Sequence, residues 1–224
     1  MRASTPWKEW AGRVLALGMS RLALGFAILF VLFALASPFW SFRIDDGGGN
    51  YVNTVYGWWS VTSEEFRNGG WDKTTQWSYA SSDLNQPNLA SAMGASYLLG
   101  VIYLIILVVV VVLFSLERTR TMAPLVLLVL SLIVVIGSLL ALFYPILSVQ
   151  SAVTADPDFA PLVISGFWGI RTDSAGTVIS WGAGLGWWFL LVAVLLGIVG
   201  VALPYVRSVR AMGAPKPRPW APRR

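Results

Sequence analysis

The sequence predicts an all-α membrane protein: a four-helix transmembrane bundle carrying a small β-containing extracellular cap. Three observations predict it. Apolar residues make up 56% of the 224 residues and charged residues only 12%, about half the charged share of a typical soluble protein. The charges are gathered into a few stretches, with long uncharged runs between them that a soluble fold of this size cannot hide from water. Four of those runs come near or exceed the ~20 residues that cross a hydrocarbon core as a helix.

The elements follow in order along the chain. Residues 1–21 form a cytoplasmic N-terminal segment. Thr5-Pro6 reads as an N-cap followed by proline at the first helical position. Beyond it Trp7, Trp10, Ala11, Val14 and Leu17 share one face, with Lys8, Glu9 and Arg13 away from it. That amphipathic pattern suits a short helix in the inner headgroup region, or a helical extension of the first span. The bundle occupies 22–206, with spans at about 22–40, 92–116, 122–147 and 183–206 and outer loops at 41–91 and 148–182. Only Glu117-Arg118-Thr119-Arg120-Thr121 joins the second and third spans, so they form an antiparallel hairpin. The tail, 207–224, is basic; Pro215, Pro217, Pro219 and Pro222 make it extended. Ala34-Leu35-Ala36 also resembles a signal-peptide cleavage site, which would leave three spans. The apolar run continues through Phe39 and Trp40, and this favours a retained first helix.

The basic residues set the orientation. Twelve Lys and Arg lie in the N-terminal segment, the 117–121 turn and the tail, among them Arg118, Arg120, Arg207 and Arg210. Only Arg43, Arg67, Lys73 and Arg171 lie in the two other loops, beside nine of the eleven carboxylates. Both termini are therefore expected in the cytoplasm of a multi-pass plasma-membrane protein, with an acidic outer face. Anionic lipid contact by the basic residues is a by-product of this arrangement.

Nine of the twelve tryptophans fall on the outer side or at its boundary. Trp40, Trp181, Trp187 and Trp188 sit near span ends, as an interfacial aromatic belt requires. Trp58, Trp59, Trp71 and Trp77 lie in mid-loop, and with Trp168 they are the candidates for a cap core or an interaction surface. Strands are expected at 51–56, 58–62 and 74–79, interrupted at Gly57 and Gly69-Gly70, and at 162–168 and 177–181, with a turn at 173–176. Four spans, a large first outer loop and the Gly57-Trp58-Trp59 element resemble the claudin/PMP22-type superfamily. The resemblance implies a β-sheet in the outer loops and puts Trp59 at the position of the claudin Gly-Leu-Trp tryptophan. The two cysteines that follow that element in claudins are missing here.

Chemistry is hard to place on this chain. It contains no cysteine and no histidine, so imidazole- and thiolate-held metals and the usual nucleophile systems have no ligands or bases. No Asp, Glu, Lys or Arg occurs in 93–116, 122–150 or 177–205, whereas proton relays and ion pathways need such groups. Asp45-Asp46-Gly47-Gly48-Gly49-Asn50 lacks the ligand spacing of an EF-hand and reads as a solvated turn. Asp156-Pro157-Asp158 reads as a turn too, and Glu64-Glu65 as an unsuitable carboxylate pair. Small residues four apart mark helix packing faces: Gly182 with Gly186 and Ala193 with Gly197 on the fourth span, Ser96 with Gly100 on the second, Gly137 with Ala141 on the third. No cofactor, metal or nucleic acid is expected. The expected function is non-catalytic, acting through contacts with other membrane subunits, copies of itself and the bilayer. The alternatives are a cation channel fed by Asp45, Asp46, Glu64 or Glu65, and an envelope-glycan binder.

Overall fold

The computed structural model describes residues 18–116, 124–164 and 166–213. The N-terminal amphipathic segment, the 117–121 turn with Arg118 and Arg120, the side chains of Arg207 and Arg210, and the proline-rich tail lie outside what is described.

Four helices are long and apolar enough to cross a membrane: α1 (Met19–Ala36), α2 (Pro87–Leu116), α3 (Pro124–Ala155) and α4 (Leu185–Gly213). The protein is a membrane protein on this ground. At 1.5 Å per residue α1 is about 27 Å long, close to the ~30 Å of a hydrocarbon core, whereas α2 and α3 reach about 45 Å. α1 packs along α4, α4 along α3, and α3 along α2. Leu24, Ala27, Val31, Tyr103, Leu107, Val134 and Ala193 fill the centre and are fully buried. Phe26, Leu32, Ile105, Leu132 and Leu195 face outward, as lipid-facing positions should. Arg21 near the N-terminal end of α1 donates to the Phe114 carbonyl in the last turn of α2, placing a cation where the helix dipole is negative.

The expected small cap is overturned. The chain builds a six-stranded antiparallel sheet: β1 (Trp40–Asp45), β2 (Tyr51–Tyr56), β3 (Ser60–Arg67), β4 (Gly70–Ser78), β5 (Gly169–Thr172) and β6 (Val178–Ala183). Its spatial order is β4-β3-β2-β1-β6-β5. An all-α class therefore fails. The reason is local: α1 stops at Ala36, and Trp40, read as the end of a span, opens a strand that continues through the start of the loop to Asp45. Trp40 sits opposite both Tyr56 of β2 and Ala183 of β6. Pairing β1 with β6 joins the two loop regions into one sheet. Of the strand expected at 162–168, Leu162 instead ends a 3-10 turn (Pro157–Leu162), and residues 163–164 and 166–168 lie in no strand before β5.

Two tight connections fix the register. Asn68 and Gly69 between β3 and β4 both have positive φ, 51° and 76°, the conformation that a two-residue hairpin turn requires. In the β1–β2 loop the Asp46 carboxylate accepts from the Gly48 and Asn50 amides and from the Asn50 side chain. The two loop tips are tied together, Asn68 N to Asn50 Oδ1 at 2.9 Å and Gly69 N to Gly49 O at 2.8 Å.

Candidate functional site

The register sends alternate residues to opposite faces of the sheet. One face carries Trp40, Phe42, Tyr56, Val61, Ile179 and Trp181, all buried, with Trp77 half-buried beside them. This face closes on the bundle and on the 3-10 turn. Phe159 of that turn lies 6.1 Å from the rings of both Trp40 and Tyr56 and 6.4 Å from Phe42. Trp40 donates through Nε1 to the Phe167 carbonyl at 3.0 Å, and Trp181 to the Gly166 carbonyl at 3.2 Å. Gly169 is obligatory here. A Cβ on it would stand 2.1 Å from the Trp181 ring.

Adjacent tryptophans take opposite roles. Trp58 is buried, its ring 4.6 Å from Phe39, and it donates to the Ala34 carbonyl at the end of α1. Trp59 is 63% exposed and rests edge-on against Tyr97 of α2 at 4.6 Å. Trp71 is equally exposed, its Nε1 donating to Thr74 Oγ1. Trp168 is about half exposed and stands 5.2 Å from the buried Trp187. Of the five tryptophan candidates, then, Trp58 and Trp77 contribute to packing, whereas Trp59, Trp71 and Trp168 offer surface.

The helix-packing glycines separate likewise. Gly100 and Gly137 lie on α2 and α3, where an added Cβ would meet Leu35 and Ile106 at 3.0 Å. Gly186 in the first turn of α4 approaches the Ala34 and Ser37 carbonyls, and Gly197 approaches the Tyr103 hydroxyl. Gly182 is not on a helix: it belongs to β6 and makes room for Trp168.

One residue was hidden from the sequence reading. Asp156 is 1% exposed. Its Oδ1 accepts from Asn88 N at 2.9 Å and Asn88 Nδ2 at 2.8 Å, and its Oδ2 from Leu89 N at 2.8 Å. It therefore caps the N-terminus of α2 from the end of α3, across 68 residues of sequence. Ordinary capping motifs are local, so only the unexplained carboxylate after a long apolar run could have signalled it. Near it, burial raises the Tyr56 and Tyr79 phenols well above their ordinary value.

The opposite face of the sheet is open. Arg43, Asn53, Thr62, Glu64, Thr74 and Gln76 lie on it, half-buried or exposed. At its far rim the Tyr51 and Phe66 rings stack at 4.3 Å, Arg43 lies 3.9 Å over Tyr51, and Trp71 stands opposite Phe66. Beside the loop tips a shallow cavity of 360 Å³ is lined by Ile44, Val52, Glu65 and Arg67 among others. Its charges are already paired: Lys73 Nζ lies 3.0 Å from Glu65 and Arg67 Nε 3.0 Å from Asp72. Asp45 and Asp46 are held below the usual carboxylate range, Asp45 first by Arg43 and Asp46 first by Asn50. Their oxygens are occupied by local N–H groups and by Arg43, and among the described residues no acidic cluster suited to a metal ion forms.

No protein-family model matches the chain, and no curated protein is similar to it in sequence.

Proposed function

We propose that the chain is a non-catalytic plasma-membrane protein that works through protein contacts, as an accessory or scaffold subunit of a membrane assembly. In this reading both termini are cytoplasmic and the sheet stands outside. The observation that carries it is the two-sidedness of the sheet. One face is joined to the bundle by a buried aromatic layer, so the sheet is a rigid extension of the spans. The other face presents Tyr51, Phe66, Trp71 and Arg43 to the surroundings, and aromatic and arginine side chains are the common anchors of interfaces. The bundle supports the same reading. Ser20, Tyr103 and Ser131 all donate to backbone carbonyls of α4, which serves helix packing. A claudin-like adhesion role is one form of this proposal.

Light scattering of protein extracted gently from its native membrane tests it. The expected particle is substantially heavier than one 24.5 kDa chain with its surrounding lipid or detergent. A single-chain mass, together with cation flux from the purified chain in liposomes, would replace the proposal with a channel.

A further inference from the structure

β4 is the edge of the sheet. Only β3 pairs with it among the described residues, so one side of its nine residues carries backbone N–H and C=O groups with no strand beside them. Long free edges invite pairing, and proteins usually protect them with proline, short length, unpaired charge or a β-bulge; the β3–β4 register shifts between Glu65 and Phe66, which leaves Lys73–Ser78 as the regular stretch of the edge. β4 lacks the first two protections, since it contains no proline and is more than twice as long as β5, the four-residue edge on the other side. Its charges do not provide the third. Asp72 is paired to Arg67 at 3.0 Å and Lys73 to Glu65 at 3.0 Å, both inward across the β3–β4 ladder. Trp71, 63% exposed, stands on the same strand.

We propose that β4 is a strand-addition site: an extended, basic segment of a different protein pairs along Gly70–Ser78 and adds a seventh strand. This rests on the contact function proposed above and names the surface. The backbone itself suggests the occupant, because a row of alternating N–H and C=O groups is matched group for group by another extended backbone. The side chains define its charge. Glu64 lies on the open face opposite Thr74 and has no ion-pair partner among the described residues. Thr74 is short, so a lysine or arginine on the added strand reaches across it to the Glu64 carboxylate.

A second copy pairing antiparallel through its own β4 would bring Trp71, Thr74 and Gln76 to the open face, none of them a cation for Glu64, so the basic side chain comes from a different chain.

Hydrogen–deuterium exchange tests the site on the full chain. The isolated protein and the native assembly, both in polymer-bounded membrane discs, are compared over residues 70–78. The expected result is slowing of exchange by at least roughly tenfold in the assembly, in a particle that contains another chain. Glu64→Lys should abolish that slowing while leaving the isolated protein's exchange pattern unchanged. Unchanged exchange in a particle heavier than one chain overturns the β4 site and leaves the contact function standing. Slowing in a particle made only of copies of this chain overturns the choice of occupant. A particle of single-chain mass overturns both readings.

Discussion

Removing the Asp156 carboxylate should unlatch α2 from α3, and the structure sets the magnitude. Asp156→Ala strands two backbone donors, Asn88 N and Leu89 N, in a region where Asp156 is 1% exposed. Each stranded donor costs about 1–3 kcal/mol. The Asn88 side chain adds little, because Asn88 is exposed and its amide can turn to water. The sum is about 2–6 kcal/mol, and for a chain of this length each kcal/mol moves a melting temperature by about 2–4 °C. A fall on the order of 10 °C is expected in a thermal melt in detergent. Asp156→Asn keeps one acceptor oxygen but turns an NH₂ toward a backbone N–H, so it should lose about 1–3 kcal/mol rather than being neutral. Asp158→Ala is the control. That carboxylate is exposed and accepts from Asn85 N alone, at 3.0 Å, so its loss should cost less than about 1 kcal/mol. If the Asp156→Ala and Asp158→Ala proteins melt together, Asp156 does not hold the helix and the reasoning fails.

Three further outcomes follow from the geometry. Trp58→Ala should destabilise by about 3–5 kcal/mol and Trp59→Ala by far less, measured in the same melt; equal effects would contradict their opposite burial. Gly197→Ala should destabilise, because its Cβ would fall on the Tyr103 hydroxyl, 2.3 Å away. Adding Tyr103→Phe should recover most of the loss, since the next ring atom is 3.5 Å away; a double variant no better than the single one refutes this contact. Asp46 has its folded-state pKa depressed below the ordinary 3.8, first by Asn50 and then by Gly48. Its contribution to the β1–β2 loop is therefore complete above the unfolded value and is lost as pH falls through the folded one. Amide exchange at Gly48 and Asn50 should accelerate in acid in the native chain but show no such step in Asp46→Ala.

The sequence made some of this fold legible and concealed the rest for physical reasons. The four apolar helices announce themselves because lipid demands continuous apolar runs. β2 is readable to the residue, since Tyr51–Tyr56 is rich in β-branched and aromatic residues and lies between turn-formers. β1 was not, because Trp40 follows directly on an apolar span and looks like an interfacial anchor. A tryptophan at a span end serves equally well as anchor or as first strand residue, and only its partners Tyr56 and Ala183 decide. Asn68-Gly69 is a readable signal: the pair specifies a hairpin by itself, and it sets the adjoining ends of β3 and β4 at Arg67 and Gly70.

The same logic explains why the surface-forming residues were harder to separate than the elements. Trp58 and Trp59 are chemically identical neighbours, and no propensity distinguishes them. What distinguishes them is the connection at Gly57, where the amide donates to the Ser60 carbonyl and β2 turns into β3. That turn aims one indole at the end of α1 and leaves the next against Tyr97 at the rim. Likewise, Gly182 and Gly186 share a helical spacing, yet one lies in β6 and the other in α4 because Gly184 packs against the Pro38 carbonyl and the chain changes direction there. Spacing reports which residues can share a face only once the element is known. In this chain the boundary between span and sheet falls inside apolar, aromatic sequence, so the residues that decide it are ones any helix would also accept.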